Sequence, residues 1–439
     1  MNKNQMIILA LLTVFFMSCP DALFATNGYF LPGVGAVNES LGGAATAGNV
    51  QDVVGSLHRN PANAVLFDGR VSAINFGVIF PEVTANSSVD MLGLSGSTDS
   101  DVDTIPIASM GIVFHDKNSP MAYYFGLIGE AGISLDFSQG STNPLFIAQA
   151  GKADNPYGGL FGGFGDVVSQ IEVYRLPIGG SYQVDKNWSL GFSVAPSVAR
   201  LKLTPGVFAA PDDANGDGIP TYPTDVDHEL AAGIGFQVGT RWQTTEKLGI
   251  GFTFTSPTWF EDFNWDVTDE IDNNRKVSFR LDRPLVLNMG SSYQLTPDTL
   301  FLMDCSWINY SGTKGFDETG FNADGSLRGL GWNDIWVLSF GVQQNIDKLS
   351  LRAGYNYGGN PIDADTTFFN SLTPLITQHH LSLGGSYTFK LITLDIAYTH
   401  AFENTVSGPI YDMSGPVAGT NVEYSMAYDQ FSVAATFTF

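Results

Sequence analysis

Cysteine is almost missing from this chain: of its 439 residues only Cys19 and Cys305 carry a thiol. Basic residues are scarce too, 20 Lys and Arg against 44 Asp and Glu, for a formal charge of −24. Such a field repels phosphate, which excludes nucleic acid as a partner. Beyond the N-terminus no stretch approaches the ~20 apolar residues a spanning helix needs, which excludes a helical membrane bundle. The one apolar run, Met6 to Met17, follows Lys3 and precedes Ala22-Leu23-Phe24-Ala25. It reads as an export signal, residues 1–25, cleaved after Ala25. Ser18-Cys19 offers a lipoprotein site instead, which Phe16-Met17 fits poorly. Cleavage after Ala25 leaves a single thiol, so no disulfide forms within the mature chain. That thiol, Cys305, shares an outward row with Phe301, Met303 and Trp307 and has a packing role.

What the chain does have is glycine and aromatics: 49 Gly, 32 Phe, 16 Tyr and 7 Trp, with charged residues at only 15%. The last strand-like run shows their arrangement. Phe431, Val433, Ala435, Phe437 and Phe439 form one row, and Ser432, Ala434, Thr436 and Thr438 the other. Leu349 to Tyr357 and Leu381 to Phe389 alternate in the same way. Apolar out and small or polar in is the pattern of a barrel whose outside is lipid and whose inside is wet. Arg352 and Asp395 fall on the inward rows, where they pair with each other or with neighbours; the alternative is a ligand role.

From Gly69 onward the breaks between runs alternate in length. The short ones are His115 to Pro120, Val184 to Asn187, Thr244 to Lys247, Leu295 to Asp298, Asn345 to Lys348 and Phe389 to Ile392. The long ones are Pro81 to Asp103, Ser138 to Val167, Pro205 to Asp225, Asp266 to Asn274, Gly312 to Gly331, Gly358 to Leu375 and Glu403 to Thr420. Short periplasmic turns and long outer loops predict an all-β fold over residues 69–439, a transmembrane antiparallel β-barrel of about 14 strands. Residues 26–68 do not alternate and are rich in glycine. They are too compact and weakly polar for a disordered tail, and they predict a hatch, or plug, folded inside the lumen.

Two stretches carry a family resemblance. Thr26-Asn27-Gly28-Tyr29-Phe30 with Gly33 and Gly35, then Arg59-Asn60-Pro61-Ala62, closely resembles the N-terminus of the FadL/TodX transporters of hydrophobic compounds. Asn333 to Gly341, Leu351 to Tyr355, Gln378 to Tyr387 and the terminal Phe439 are similar to the late strands of that family. The resemblance implies a multi-pass protein of a Gram-negative outer membrane. It implies passive uptake of long-chain fatty acids or hydrocarbons, with an outer loop groove, a tighter pocket above the hatch, an inward-kinked third strand and sideways release into the bilayer. It also implies outer-membrane lipid and lipopolysaccharide as surroundings, the barrel assembly machinery as a partner in biogenesis, and no cofactor. Of the family's basic residues at the ligand carboxylate, one aligns with Arg328. The other falls near Pro205, with Arg200 and Lys202 close by, which keeps uncharged hydrocarbons open.

Read for the same physics, the third strand carries Gly126, Gly129 and Gly132 around Glu130, a signature of a bend and hence of a wall opening. The alternative is that these glycines relieve crowding against the plug. The apolar loop with Phe146, Leu160, Phe161 and Phe164 is the candidate capture groove. Asn60, Pro61 and Ala62, with Gly33 and Gly35, form the candidate gate of the hatch; the alternative is that Pro61 only ends the plug. Asp213, Asn215 and Asp217 before Gly218 repeat half of a calcium loop, but Thr224 stands where its last carboxylate belongs, leaving a structural Ca²⁺ or a plain turn cluster. Two other functions compete. A diffusion porin needs an open lumen, which a plug denies. A barrel hydrolase would use His380 and Ser382, but neighbouring inward positions on a strand stand ~6–7 Å apart, too far for a direct bond.

Overall fold

The computed structural model describes residues 27–138 and 142–439; the leader lies outside them. Fourteen wall strands make one closed antiparallel barrel. In chain order they are β1 (Gly69–Val89), β2 (Ile105–His115), β3 (Met121–Asp136) and β4, which has two pieces, Val168–Arg175 and Ile178–Asp185. Next come β5 (Trp188–Thr204), β6 (Glu229–Gln243), β7 (Leu248–Thr255), β8 (Leu285–Thr296) and β9 (Thr299–Asn309). The last five are β10 (Ile335–Ile346), β11 (Leu349–Gly358), β12 (His379–Thr388), β13 (Ile392–Gly408) and β14 (Thr420–Thr438). Pairing of β1 with β14, from Val71 against Thr438 to Val89 against Thr420, closes the cylinder and leaves no sheet edge there.

Alternation sets which way each strand faces. In β12, Leu381 and Leu383 are about half exposed while Ser382 between them is buried, and β14 repeats this with Phe431, Ser432 and Val433. Similar outward rows on the other strands include Phe76, Met110, Phe125, Phe192, Phe252, Met289 and Ile396. An apolar coat around the whole girth is stable only against lipid. Among the described residues no helix is long and apolar enough to cross a membrane.

All six short turns fall where the sequence places them, but three long connections do not. β1 runs through Pro81 to Val89 and pairs Thr84–Val89 with a returning strand, Leu94–Asp99. Thr84, Asn86 and Ser88 are polar because the strand has risen out of the apolar band, not because it has ended. β13 likewise continues past Glu403 to Gly408, across an irregularity between Ala401 and Asn404. The break at Asp266 to Asn274 is the tip of a separate hairpin, Phe263–Thr268 with Asn274–Phe279, inside the β7–β8 loop. A fourth break escaped the sequence reading: Leu176-Pro177 splits β4, because proline has no N–H for the ladder.

Residues 27–68 fill the lumen. They carry α1 (Ala36–Glu39), α2 (Val53–Arg59) and a 3₁₀ turn, Pro61–Leu66. Neither helix is long enough to stand alone, so the wall holds them. Asp304 of β9 accepts from the Ala45 and Thr46 amides at 2.9 Å and the Thr46 hydroxyl at 2.8 Å. Arg241 of β6 donates to the Ala47 carbonyl at 2.8 Å, and Asn75 of β1 accepts from the Ala36 amide at 2.8 Å. Where hatch backbone meets wall, the wall carries glycine. A Cβ at Gly354 would sit 2.1 Å from the Gly42 nitrogen, one at Gly251 2.2 Å from the Thr46 oxygen, and one at Gly191 2.3 Å from the Ala62 nitrogen.

Candidate functional site

The hatch ends upward in an aromatic tip. Gly28 has φ +64° and lies where a Cβ would strike the Tyr310 hydroxyl, which donates to the Asn27 carbonyl at 2.6 Å. So fixed, Tyr29 stacks on Phe30 at 4.4 Å and on Phe316 at 6.0 Å. Phe316 and Trp332 sit 4.8 Å apart. Above this tip lies an apolar pocket lined by Tyr29, Phe260, Phe263, Phe316, Trp332 and aliphatic residues from β4, β5 and the upper loops. Its polar lining is confined to Arg200, Asp282, Arg283 and Thr373. Arg200 pairs with Glu172 at 3.1 Å. A second apolar pocket lies across Tyr29 and runs along Phe30, Leu31, Ile79, Ile105, Gly132 and Ile133.

That second cavity abuts a defect in the wall. β2 and β3 pair from His115↔Ala122 only as far as Ser109↔Ile128. Beyond it β3 keeps its partner β4, with a register shift between Gly129 and Ala131, while β2 keeps only β1. The upper part of β3 has stepped inward. Cβ atoms at Gly129 and Gly132 would lie 3.0 and 3.2 Å from the Ile107 and Ile105 side chains, and one at Gly129 2.9 Å from the Ala108 oxygen, so a larger residue would force neighbours to shift. Gly126 is different: it is still paired in the wall, against Leu57 of the hatch.

Glu130, at the register shift, is fully buried and holds the bend. Its carboxylate accepts from Arg175 at 2.6 Å and Arg283 at 2.7 Å, and His58 of α2 lies at 3.3 Å. Arg175 is the last residue before the break in β4, so both interruptions meet at one height. Arg283 also covers the Phe30 ring at 4.7 Å. One carboxylate thus ties bend, broken strand, upper loop and hatch together. Of this cluster the sequence reading noted only Glu130, and only as part of the glycine run. Arg175 beside Leu176-Pro177 was the available signal.

The other expected residues are dispersed. Phe146 is buried and stacks on Phe137 at 4.7 Å; Phe164 stacks on Phe368 at 5.4 Å. Phe161 packs edge-on to Tyr157, and Leu160 at the loop tip is 95% exposed. None of the four lines the apolar pocket above the hatch tip. Arg328 is exposed and also absent from that lining, as is Lys202; the cations there are Arg200 and Arg283. Gly35, at φ +86°, turns the chain into α1, and Gly33 packs against the Glu39 backbone. Asn60 caps the 3₁₀ turn through the Ala62 amide at 2.9 Å and donates to the Thr46 and Thr240 carbonyls at 2.8 and 3.0 Å. Pro61 opens that turn, and the Ala62 carbonyl accepts from Ser189 at 3.0 Å.

Side-chain oxygens of Asp213, Asn215 and Asp217 accept backbone amides of their own loop, from Gly218, Asp217 and Ile219, which is turn chemistry. Among the described residues no group of three His, Cys, Asp or Glu is arranged to hold a metal. Arg352 and Asp395 are joined through the Ser386 hydroxyl between them. His380 and Ser382 do not meet: Ser382 bonds Thr399 at 2.9 Å.

Known proteins share this architecture. The family model described as outer membrane protein transport protein (OMPP1/FadL/TodX) matches residues 26–439. The long-chain fatty acid transport protein of Escherichia coli O6:H1 is 22% identical over 392 residues, 80% of this chain and 82% of that one. A Pseudomonas aeruginosa FadL homologue superposes with a TM-score of 0.69 at 16% identity, covering 93% of this chain and 99% of its own. The Pseudomonas putida toluene transporter TodX gives 0.66 at 18% identity, covering 94% of this chain and 100% of its own.

Proposed function

Because this chain belongs to the outer-membrane transport family OMPP1/FadL/TodX, we propose that it is a passive channel for hydrophobic compounds, long-chain fatty acids or hydrocarbons. Its loops capture the ligand, the apolar cavity above the hatch holds it, and the gap between β2 and β3 releases it sideways into the bilayer. The observation that carries this reading is the apolar pocket walled by Tyr29, Phe260, Phe263, Phe316 and Trp332 at the hatch tip. Each CH₂ transferred from water into such a site gains roughly 0.8 kcal/mol, so an alkyl chain binds without a polar anchor. Release into lipid then exchanges one apolar surrounding for another, so no energy source is needed. The adjoining cavity along Ile105 and Gly132 supports the sideways path, since it leads from the hatch tip to the unzipped stretch of wall. Exposed Leu160 and Tyr157, with half-buried Phe161 and Phe164, give the capture loop an apolar surface over buried Phe146. No step here calls on catalysis.

Purified protein is extracted with organic solvent, and retained molecules are identified by mass spectrometry. In parallel, proteoliposomes are tested for swelling in sugars. Retained apolar molecules with sugar entry no faster than in protein-free vesicles is the expected result. Rapid sugar entry with nothing retained would show a porin instead.

A further inference from the structure

At the periplasmic end of the wall, beneath the unzipped stretch of β2 and β3, an open groove is lined by Arg70, Phe114, Lys117, Met121, Tyr123 and Phe439. Strand register sets its back. Arg70 stands opposite Phe114, and Phe114 opposite Tyr123. On the other side the Phe439 amide donates to the Arg70 carbonyl at 3.0 Å. One outward row thus runs across β3, β2, β1 and the end of β14. Phe439, Phe114 and Tyr123 are exposed, as are Ile74, Phe76, Met110 and Phe125 above them. The row is the lower edge of the apolar coat, where an aromatic girdle meets water.

Arg70 is the anomaly in that row. A guanidinium facing lipid is costly at mid-bilayer and tolerated at the interface, where its stem lies on apolar neighbours and its head reaches polar groups. The other arginines of the wall strands are placed differently: Arg175, Arg241 and Arg352 are buried, and Arg200 pairs with Glu172. Among the described residues Arg70 makes no ion pair. Lys117, in the turn from β2 to β3, borders the same groove. Its ammonium bridges Asp68 at 2.8 Å, with both side chains well over half exposed. Such a pair is worth little in water, so the ammonium is free to turn to a stronger anion. Asp116, the one acidic side chain in the lining, accepts from the Asn118 amide of its own turn at 2.9 Å. His115 is engaged by the Phe67 and Ser119 carbonyls at 2.6 and 3.1 Å. In a chain with 20 basic against 44 acidic residues, two cations at one point of the rim are a local exception to the field.

We propose that this groove is a headgroup site for a phospholipid of the periplasmic leaflet, its phosphodiester held by Arg70 and Lys117. Guanidinium grips phosphate through two parallel N–H donors, and ammonium adds a point charge. Phe114, Tyr123 and Phe439 offer apolar contact to the start of the tails. The tails then rise past Met110 and Phe125. From the Phe114–Tyr123 pair to the last pair of β2 and β3, Ser109–Ile128, is five residues, about 17 Å of strand. On a wall tilted by ~40° that is close to half of the ~30 Å hydrocarbon core. The tail ends of a lipid so anchored reach the foot of the gap. The site stands on its own geometry, whether or not ligand leaves by that gap.

The test uses the full-length protein, delipidated in detergent, with native mass spectrometry to count bound lipid. The probes are dioleoylphosphatidylglycerol, dioleoylglycerol, which has the same tails and no phosphate, and inorganic phosphate. Native protein is expected to bind the phospholipid about tenfold or more tighter than the diacylglycerol, the difference a charge-assisted contact makes. Arg70→Gln combined with Lys117→Gln should remove that preference and leave diacylglycerol binding unchanged, which also reports a folded barrel. Lys348→Gln, in the turn from β10 to β11, removes a rim cation elsewhere and should leave the preference intact. If the double variant fails to insert, Lys117→Gln alone, in an exposed turn, is expected to lower the preference about threefold. Equal binding of the two lipids by native protein, a preference that survives the substitutions, or the same loss in Lys348→Gln overturns the site. Inorganic phosphate that binds as tightly as the phospholipid overturns the lipid assignment in favour of a free-anion site; much weaker binding supports the tethered head.

Discussion

Asn60 shows how much one side chain does in this molecule. Its amide reaches a hatch carbonyl at Thr46 and a wall carbonyl at Thr240, while its oxygen caps the turn at Ala62. Removing it leaves buried carbonyls without donors, a loss of about 1–3 kcal/mol. Asn60→Ala is therefore expected to speed hydrogen exchange of hatch amides about five- to a hundredfold, with wall amides unchanged, as read by mass spectrometry. Equal exchange in both proteins would remove Asn60 as a fastener. Its bonds, with that from Ser189 to the Ala62 carbonyl, tie Asn60-Pro61-Ala62 to hatch and wall alike. The sequence marks these residues as a motif, yet anchoring and gating look alike there, because the partners Thr240 and Ser189 lie more than a hundred residues away. The same distance hides the glycines. Gly191, Gly251 and Gly354 are plain strand glycines until the hatch backbone is set against them.

Among the elements, the turns were the most legible and the loops the least. A periplasmic turn such as Thr244 to Lys247 must reverse the chain within four residues, so polarity and strand end coincide. On the other face, strands such as β1 continue past the apolar band, and polarity marks the water line only. The bend in β3 was legible through its glycines. Its partner, the break at Leu176-Pro177, needed the pairing of β3 with β4 to acquire meaning. This geometry carries a test. Gly132→Val sets branched methyls against Ile105 and Ile107 and into the cavity that leads to the gap. Uptake of ligand into proteoliposomes should fall severalfold or more, while equilibrium binding to detergent-solubilised protein, which uses the upper cavity, stays within about twofold. Unimpaired uptake would exclude the gap as the exit.

At the scale of the whole molecule the question is what has to move. Fourteen strands and a central hatch follow from turn spacing and from the failure of residues 26–68 to alternate, so the plan was readable in advance. The cavities were not, because Tyr29, Arg200, Phe263, Trp332 and Leu375 meet only after the barrel has closed. With the closed form known, two routes compete: down through the lumen, which needs the hatch displaced, or sideways past its tip, which needs only Tyr29 to Leu31 to shift. The base of the hatch is bound to β6, β9 and β11 through Arg241, Asp304 and Asn356, whereas the tip is held chiefly by stacked rings and the Tyr310 hydroxyl. Rings slide more readily than buried hydrogen bonds break, so the sideways route is the easier one. A cross-link separates the two. A Cβ at Gly341 would lie 3.0 Å from the Leu41 Cβ, short of the ~3.8 Å a disulfide spans, so the bridge forms with a small outward shift of the hatch base. The pair Leu41→Cys and Gly341→Cys, in a Cys305→Ser background, should when oxidised leave uptake within about twofold of the reduced protein. Loss of uptake on oxidation, restored by reductant, would show that the hatch base has to leave its seat and that ligand travels through the lumen.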